Sequence, residues 1–165
     1  MNLGRAFRHL FASRWRTRQR FSDAVDTDIE QAIRAAEERT SGEIRFVIET
    51  GLDPAAALRG LPPRDRALEV FAQFRVWDTE LRNGVLIYVL MADRTVEVVA
   101  DRGAAALIAP AQWEASSMIM EKHFQARRFR EGALAGVGAI GDLLARHFPA
   151  RAGDRDELPN QPALL

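Results

Sequence analysis

A continuous apolar run near the middle of the chain is the clearest structural pattern in the sequence. Residues 85–91 are all apolar or aromatic and follow the turn dipeptide Asn83-Gly84. A run without alternation is typical of a strand covered on both faces, so we expect it at the centre of a sheet. A tight turn at residues 92–94 leads into residues 95–100, where alternation predicts an antiparallel partner nearer the edge.

Alternation and helical periodicity predict the elements around this hairpin. Residues 43–50 alternate and predict a first strand, the segment 51–62 predicts a loop, and residues 104–109 receive no assignment. Thr27 and Glu30 have the spacing of a capping box at a helix start. Further helices are expected to begin at Pro63, Pro110 and Phe129. This order predicts an α/β fold, an αβα sandwich with a small mixed β-sheet flanked by helices and a parallel crossover between the first two strands.

The first 21 residues carry six arginines and no acidic residue. Four apolar residues share one helical stripe: Leu3, Phe7, Leu10 and Phe11. Arg14 falls on the same stripe, so the helix should end near Ser13. Such a stripe either docks on the domain that follows, which is the favoured interpretation, or contacts an anionic membrane surface or a protein partner, with nucleic acid as the least favoured alternative. The residues assigned to that contact are Arg5, Arg8, Phe7, Phe11 and, from a later loop, Trp77.

Composition narrows the class of protein. The chain has 165 residues, 47% of them apolar and 28% charged, which is typical of a soluble globular domain. Lysines and arginines equal aspartates and glutamates at 23 each, so no nucleic-acid partner is expected. Cysteine is absent, which excludes disulfides, thiolate metal sites and cysteine nucleophiles. We expect a basic helix at 1–21, one domain at 22–149 and a polar tail at 150–165.

Targeting signals are not evident in the sequence. The apolar runs are shorter than the roughly 20 residues that a membrane-spanning helix needs, and arginines interrupt the N-terminus before an apolar signal-peptide core develops. We therefore expect a cytoplasmic protein, with the basic helix as its means of membrane association.

Four short motifs give the chain a family resemblance. They are Ser-Gly-Glu-Ile-Arg at 41–45, Asn-Gly-Val-Leu at 83–86, Asp-Arg at 93–94 and Phe-Arg-Glu-Gly at 129–132. In this order and spacing, from about Asp23 to Pro149, the chain resembles the TPM domain family. The resemblance implies an αβα sandwich, and a role in photosystem repair or membrane-protein modulation, with weak acid phosphatase activity and calcium binding in some members. The chain resembles a shorter, soluble bacterial subgroup without a signal peptide or C-terminal membrane helix.

Oxygen-bearing side chains at the predicted strand ends are the candidate metal ligands. They are Glu43, Asp78, Asn83 and Asp101, with Glu80 nearby. Calcium takes 6–8 oxygen ligands, and carboxylates with an amide are suitable donors. The resemblance supports Glu43, Asp78 and Asn83, whereas Asp101 rests on its position alone. Residues 103–112, where metal-binding family members carry further acids, contain no carboxylate, so we expect no cofactor other than weakly bound calcium.

These observations lead to one favoured function and two alternatives. The favoured hypothesis is a non-enzymatic TPM-type accessory or interaction domain, peripheral to the cytoplasmic membrane. The first alternative is a divalent-metal-dependent acid phosphatase that holds its ion with Glu43, Asp78 and Asp101. The second is a small-ligand-binding protein with a pocket at the strand ends. No catalytic residue is assigned, since the three histidines lie far apart in the sequence. Trp77 either caps the core or, if exposed, lines a partner groove.

Overall fold

A mixed four-stranded sheet organises the chain. The computed structural model describes residues 3–165. Strands β1 (Glu43–Glu49), β2 (Gly84–Leu90), β3 (Thr95–Ala100) and β4 (Ala163–Leu164) stand in the order β3-β2-β1-β4. β1 is parallel to β2 and to β4, whereas β2 and β3 form an antiparallel hairpin. The prediction of a mixed sheet with a parallel β1–β2 connection and an outer β3 is therefore confirmed.

Eight helices of the described residues surround the sheet. Those before β2 are α1 (Leu3–Leu10), α2 (Arg14–Arg20), α3 (Asp23–Glu37), α4 (Pro54–Arg59) and α5 (Pro63–Gln73). Those after β3 are α6 (Arg102–Leu107), α7 (Pro110–Gln125) and α8 (Phe129–His147). None of these helices is both long and apolar enough to cross a membrane.

Both faces of β2 are buried, and they belong to different cores. Val85, Ile87 and Val89 pack with apolar residues of α3, α7 and α8. Leu86 and Tyr88 pack on the opposite face with residues of α4 and α5. Helices therefore cover both faces of the sheet, which confirms the αβα sandwich and explains why the β2 sequence lacks alternation.

Two local predictions need correction, and one unassigned segment proves to be helical. The helix expected from Thr27 begins at Asp23, because the Ser22 side chain accepts a hydrogen bond from the Val25 amide and caps the helix there. The expected loop at 51–62 contains α4, whose amides are capped by the Asp53 carboxylate. The unassigned residues 104–109 lie largely in α6, which Asp101 caps.

The C-terminal segment contacts the sheet edge at several points. Leu158 is buried, and the two residues of β4 pair with β1 at Val47 and Ile48. The Arg45 guanidinium donates to the carbonyl oxygens of Pro159 and Gln161 at 2.6 and 2.5 Å. Backbone pairing and a buried arginine together hold this segment against β1.

Glycines in α8 allow close approach by α7. A Cβ added at Gly136 would lie 2.2 Å from the Sδ of Met120, a side chain that is fully buried. A Cβ added at Gly138, about half a turn further on, would meet nothing within 4 Å. The two glycines therefore offer a matched pair of substitutions.

We predict opposite effects for Gly136→Ala and Gly138→Ala. Overpacking at Gly136 should lower the free energy of unfolding by about 1–3 kcal/mol, while the better helix propensity of alanine should raise it by about 0.5–1 kcal/mol at Gly138. Urea unfolding measures both values. Equal effects of the two substitutions would contradict the close α7–α8 contact.

Candidate functional site

Helix α1 is held to the domain by charged side chains. The Nε and Nη2 atoms of Arg5 donate to the Asp93 carboxylate at 2.9 and 2.7 Å, and His9 Nε2 lies 3.0 Å from its other oxygen. His9 Nδ1 accepts a hydrogen bond from the Leu52 amide at 2.9 Å, which places the ring proton on Nε2. Asp93 lies in the turn between β2 and β3, so α1 is attached to the tip of the central hairpin.

Electrostatics at Asp93 favour the charged carboxylate. Burial raises the pKa of Asp93, but the hydrogen bonds from Arg5 and His9 and the charge of Arg5 outweigh burial and hold the pKa below its usual range. Asp93 therefore stays ionised at neutral pH and attracts Arg5 into an almost fully buried position. A charge-assisted contact of this kind is stronger than a neutral hydrogen bond.

The apolar stripe of α1 faces solvent. Phe7 is 59% exposed and Phe11 71% exposed, and their rings stack with centroids 6.1 Å apart. Leu3, Leu10 and, on α2, Trp15 are similarly exposed. The interpretation in which this stripe docks on the domain is therefore wrong, because α1 docks through Arg5 and His9 instead. Arg5 accordingly lies outside the exposed surface, whereas Arg8, Phe7 and Phe11 belong to it.

The exposed face of α1 and α2 is also basic. Arg8, Arg14, Arg16, Arg18 and Arg20 all have exposed positions. Arg18 contacts the carboxylates of Asp26 and Asp23, and Arg14 donates to the Leu164 carbonyl. We call the exposed residues Leu3, Phe7, Arg8, Leu10, Phe11, Arg14, Trp15 and Arg16 the N-terminal surface. It combines large apolar side chains with the positive charges of three exposed arginines, of which Arg8 also contacts Asp93 at 3.5 Å.

Trp77 is accessible in the connector between α5 and β2. Its side chain is 47% exposed, and the Arg75 guanidinium lies 5.7 Å from its ring centroid. Trp77 was interpreted either as a cap on the core or as a partner contact, and its exposure agrees with the second interpretation. Exposure alone does not identify a partner, so the role of Trp77 as a contact residue stays a prediction.

The four predicted metal ligands occupy different structural positions. Asp78 is exposed and ion-paired with Arg75 at 2.6 Å. Asn83 is fully buried, and its Nδ2 donates to the Ser41 carbonyl at 2.7 Å. Asp101 caps α6 through the Arg102 amide at 2.7 Å. Among the described residues, only Glu43 belongs to a group of carboxylates with metal-ligand proximity.

Glu43 lies with Glu37 and Asp156, each offering a carboxylate oxygen within 4.8 Å of the others. Glu43 also accepts a hydrogen bond from the Leu158 amide at 3.0 Å, and Glu37 accepts one from the Ile44 amide at 3.0 Å. The buried Asn160 donates its Nδ2 to Asp156 at 3.0 Å, and its Oδ1 has no partner among the described residues. Sequence reasoning missed Glu37, Asp156 and Asn160, since they come from a helix end and the C-terminal segment.

Burial and neighbouring negative charges raise the pKa values of Glu37 and Glu43. Burial raises the pKa of Glu37 to about 8, and the charges of Glu43 and Asp156 add to the shift. Burial likewise raises the pKa of Glu43 to about 7, with Asp156 and Glu157 adding to it. At neutral pH Glu37 is therefore mostly protonated and Glu43 about half protonated, unless a cation stabilises their charged forms.

A second buried polar cluster lies at the opposite end of β1. Tyr88 donates its hydroxyl proton to Glu49, and Arg66 binds both Glu49 oxygens at 2.9 and 3.0 Å. Glu49 and Arg66 line an open cavity of about 630 Å³ together with α4 residues. The small-ligand alternative places its pocket at the strand ends, and this cavity lies at one end of β1, but Glu49 and Arg66 already bind each other there.

We predict that Glu37 makes stability fall as pH rises. A glutamate in the unfolded chain has its ordinary pKa of 4.5, whereas the folded value is about 8, so between these pH values the folded state binds more protons and its free energy of unfolding decreases with pH. Near pH 9, Glu37→Gln should have a free energy of unfolding about 1–3 kcal/mol above that of the native chain. Urea unfolding across the pH range measures this effect. Glu38→Gln, at an exposed neighbour, is the control, and parallel curves for Glu37→Gln and the native chain would contradict the shift.

Comparisons with known proteins agree with this fold. The family model "TPM domain" matches residues 16–143. The NMR structure of the BA42 protein from the psychrophilic bacterium Bizionia argentinensis is 33% identical, with 87% of this chain and 94% of that chain covered and a TM-score of 0.77. The solution NMR structure of the N-terminal domain of a protein from P. gingivalis is 21% identical, with 79% of this chain and 82% of that chain covered. Its TM-score of 0.57 shows a similar fold. No curated protein matches the chain. The family model spans most of the sequence, and the chain therefore belongs to the TPM domain family.

Proposed function

We propose that this TPM domain is a non-enzymatic accessory module that binds the surface of an anionic membrane through its N-terminal surface. The observation that carries the proposal is the orientation of α1. Its charged edge is buried against Asp93, and its apolar stripe, with Phe7 and Phe11, faces solvent. A contiguous apolar stripe that stays exposed while an arginine of the same helix is buried is typical of a surface that contacts a membrane or a protein partner.

The size and position of the exposed side chains support insertion at a bilayer interface. Full burial of one large apolar side chain contributes about 1.5–3 kcal/mol, and five such side chains are available here. Trp15 extends the stripe onto α2, and tryptophan favours the headgroup level of a membrane. α1 is too short to span a bilayer, so it would lie in the plane of the interface.

Charge supports an anionic membrane over a neutral one. The first acidic residue of the chain is Asp23, after six arginines. Each basic residue near an anionic leaflet contributes about 1 kcal/mol, an effect that salt screens. An apolar stripe flanked by arginines suits an anionic bilayer, where acyl chains receive the apolar side chains and headgroups attract the arginines. A protein partner would instead need an apolar groove with acidic residues along its edges.

Vesicle co-sedimentation tests the proposal. The double variant Phe7→Ser/Phe11→Ser should lose at least about tenfold in partitioning to vesicles of phosphatidylcholine and phosphatidylglycerol, because the inserted rings are removed. Leu107→Ser/Met118→Ser removes two equally exposed apolar side chains from α6 and α7 and serves as the matched control. Full retention of binding by the Phe7/Phe11 variant, or no pelleting of the native chain, would rule out membrane binding through this surface.

The carboxylate group at Glu37, Glu43 and Asp156 supports a second candidate function, divalent-cation binding. These side chains come from the end of α3, the start of β1 and the C-terminal segment. Asn160 adds an amide whose oxygen has no partner among the described residues, and reversing that amide would turn an oxygen toward the carboxylates. Such oxygen donors suit calcium, with water completing the coordination. A bound cation would join the C-terminal segment to β1.

Calcium titration tests this second candidate. Calcium should raise the melting temperature of the native chain, more strongly as pH rises through about 7 to 8, because the ligands must be ionised. Glu43→Gln should remove the shift, whereas Asp78→Asn, at an exposed carboxylate paired with Arg75, should keep it. Loss of the shift in Asp78→Asn alone would contradict this ligand set. Calcium-dependent phosphate release that requires Glu43 would favour an enzyme over an accessory domain.

A further inference from the structure

Arginines from three elements face one cavity beside the N-terminal surface. Arg16 and Arg20 lie one helical turn apart on α2, Arg8 lies in the last turn of α1, and Arg94 lies in the β2–β3 turn. All four line an open cavity of about 500 Å³, and Phe11 of the apolar stripe lines it too. The cavity therefore opens beside the side chains proposed to enter the bilayer.

The charges around this cavity are poorly neutralised. Arg16 and Arg94 form no ion pair among the described residues, and Arg8 reaches the Asp93 carboxylate only at 3.5 Å. Asp93, the acidic residue of the lining, is already held by Arg5 and His9. Arg20 packs over the Phe129 ring at 5.0 Å, and partial burial together with the charges of Arg94, Arg127 and Arg16 lowers its pKa. Several guanidinium groups around one cavity, with a single carboxylate that Arg5 and His9 already hold, provide a favourable site for an anion.

A hydroxyl group in the same lining has no partner. The Thr50 Oγ1 atom is buried and makes no hydrogen bond within the described part of the chain, although Thr50 lines the cavity. Buried polar atoms are nearly always satisfied, so this hydroxyl is available to donate to an acceptor bound in the cavity that the arginines line. A ligand with several oxygen atoms would accept from both kinds of donor.

We propose that this cavity binds the phosphomonoester group of a membrane lipid. A phosphomonoester carries between one and two negative charges and three terminal oxygens, which match the planar forks of several guanidinium groups. Phosphodiester headgroups offer fewer terminal oxygens and less charge. The inference rests on the proposed membrane binding and adds a headgroup preference to it, since the cavity adjoins Phe11.

Binding to vesicles of equal surface charge tests the preference. One set contains phosphatidylcholine with phosphatidic acid, whose headgroup is a phosphomonoester, and the other contains phosphatidylcholine with phosphatidylglycerol. The native chain should bind the phosphatidic acid vesicles at least about fivefold more tightly. Arg16→Gln/Arg94→Gln should bind both sets equally. Arg59→Gln/Arg151→Gln removes the same charge from exposed positions elsewhere and should keep the preference.

Three results would overturn the proposal in distinguishable ways. Equal binding of the native chain to both vesicle sets would reject the phosphomonoester site while leaving membrane binding intact. An unchanged preference in Arg16→Gln/Arg94→Gln would place the recognition elsewhere. Absence of vesicle binding, together with chemical-shift changes at Arg16 and Arg94 on NMR titration with inorganic phosphate, would reject both membrane proposals and assign the cavity to a free phosphate ligand.

Discussion

The carboxylate of Asp93 determines which face of the first helix the protein presents. Arg5 and His9 reach it from α1, and the Leu52 amide fixes the other side of the His9 ring. With these two residues held inward, Phe7 and Phe11 must face outward, because they lie on the opposite side of a short helix. The hydrophobic effect alone would turn the helix the other way. A set of charge-assisted hydrogen bonds in a partly buried site outweighs it here.

Much of the sheet could be predicted from the sequence, because β2 and β3 owe their form to local patterns. A strand with apolar residues at every position needs cover on both faces, and the two cores supply it. The β4 pairing could not be predicted, since two residues carry no periodicity and their partner β1 is more than a hundred residues away. The start of α3 was misplaced for a local reason. Ser22 and Thr27 are both suitable caps, but Ser22 caps the helix, whereas the Thr27 hydroxyl donates to the Asp23 carbonyl within it.

The candidate sites were less accessible to sequence reasoning than the fold. Periodicity identified the apolar stripe of α1. The residue that binds the opposite side of the helix, Asp93, lies 84 residues after His9 in the sequence, within the Asp-Arg motif of the β2–β3 turn. Glu43 was recognised as a candidate ligand, yet its neighbours Glu37 and Asp156 flank it only in three dimensions. Asp101 and Asn83 both lie at strand ends and look like candidate ligands in the sequence. In the structure, Asp101 caps α6, and the Asn83 side chain donates a hydrogen bond to the Ser41 carbonyl. The equal totals of acidic and basic residues likewise conceal the basic N-terminal segment.

Solvent accessibility at Phe7 tests the orientation of α1 most directly. The chain has no cysteine, so a single Phe7→Cys substitution reports on that position alone, and Thr17→Cys on α2 reports on a buried site. In the absence of membranes, our account predicts that the thiol at position 7 reacts with a maleimide at nearly the rate of an unfolded peptide, while the thiol at position 17 is protected. A thiol at position 7 that is protected in the folded protein and released by urea would contradict the outward orientation of the stripe.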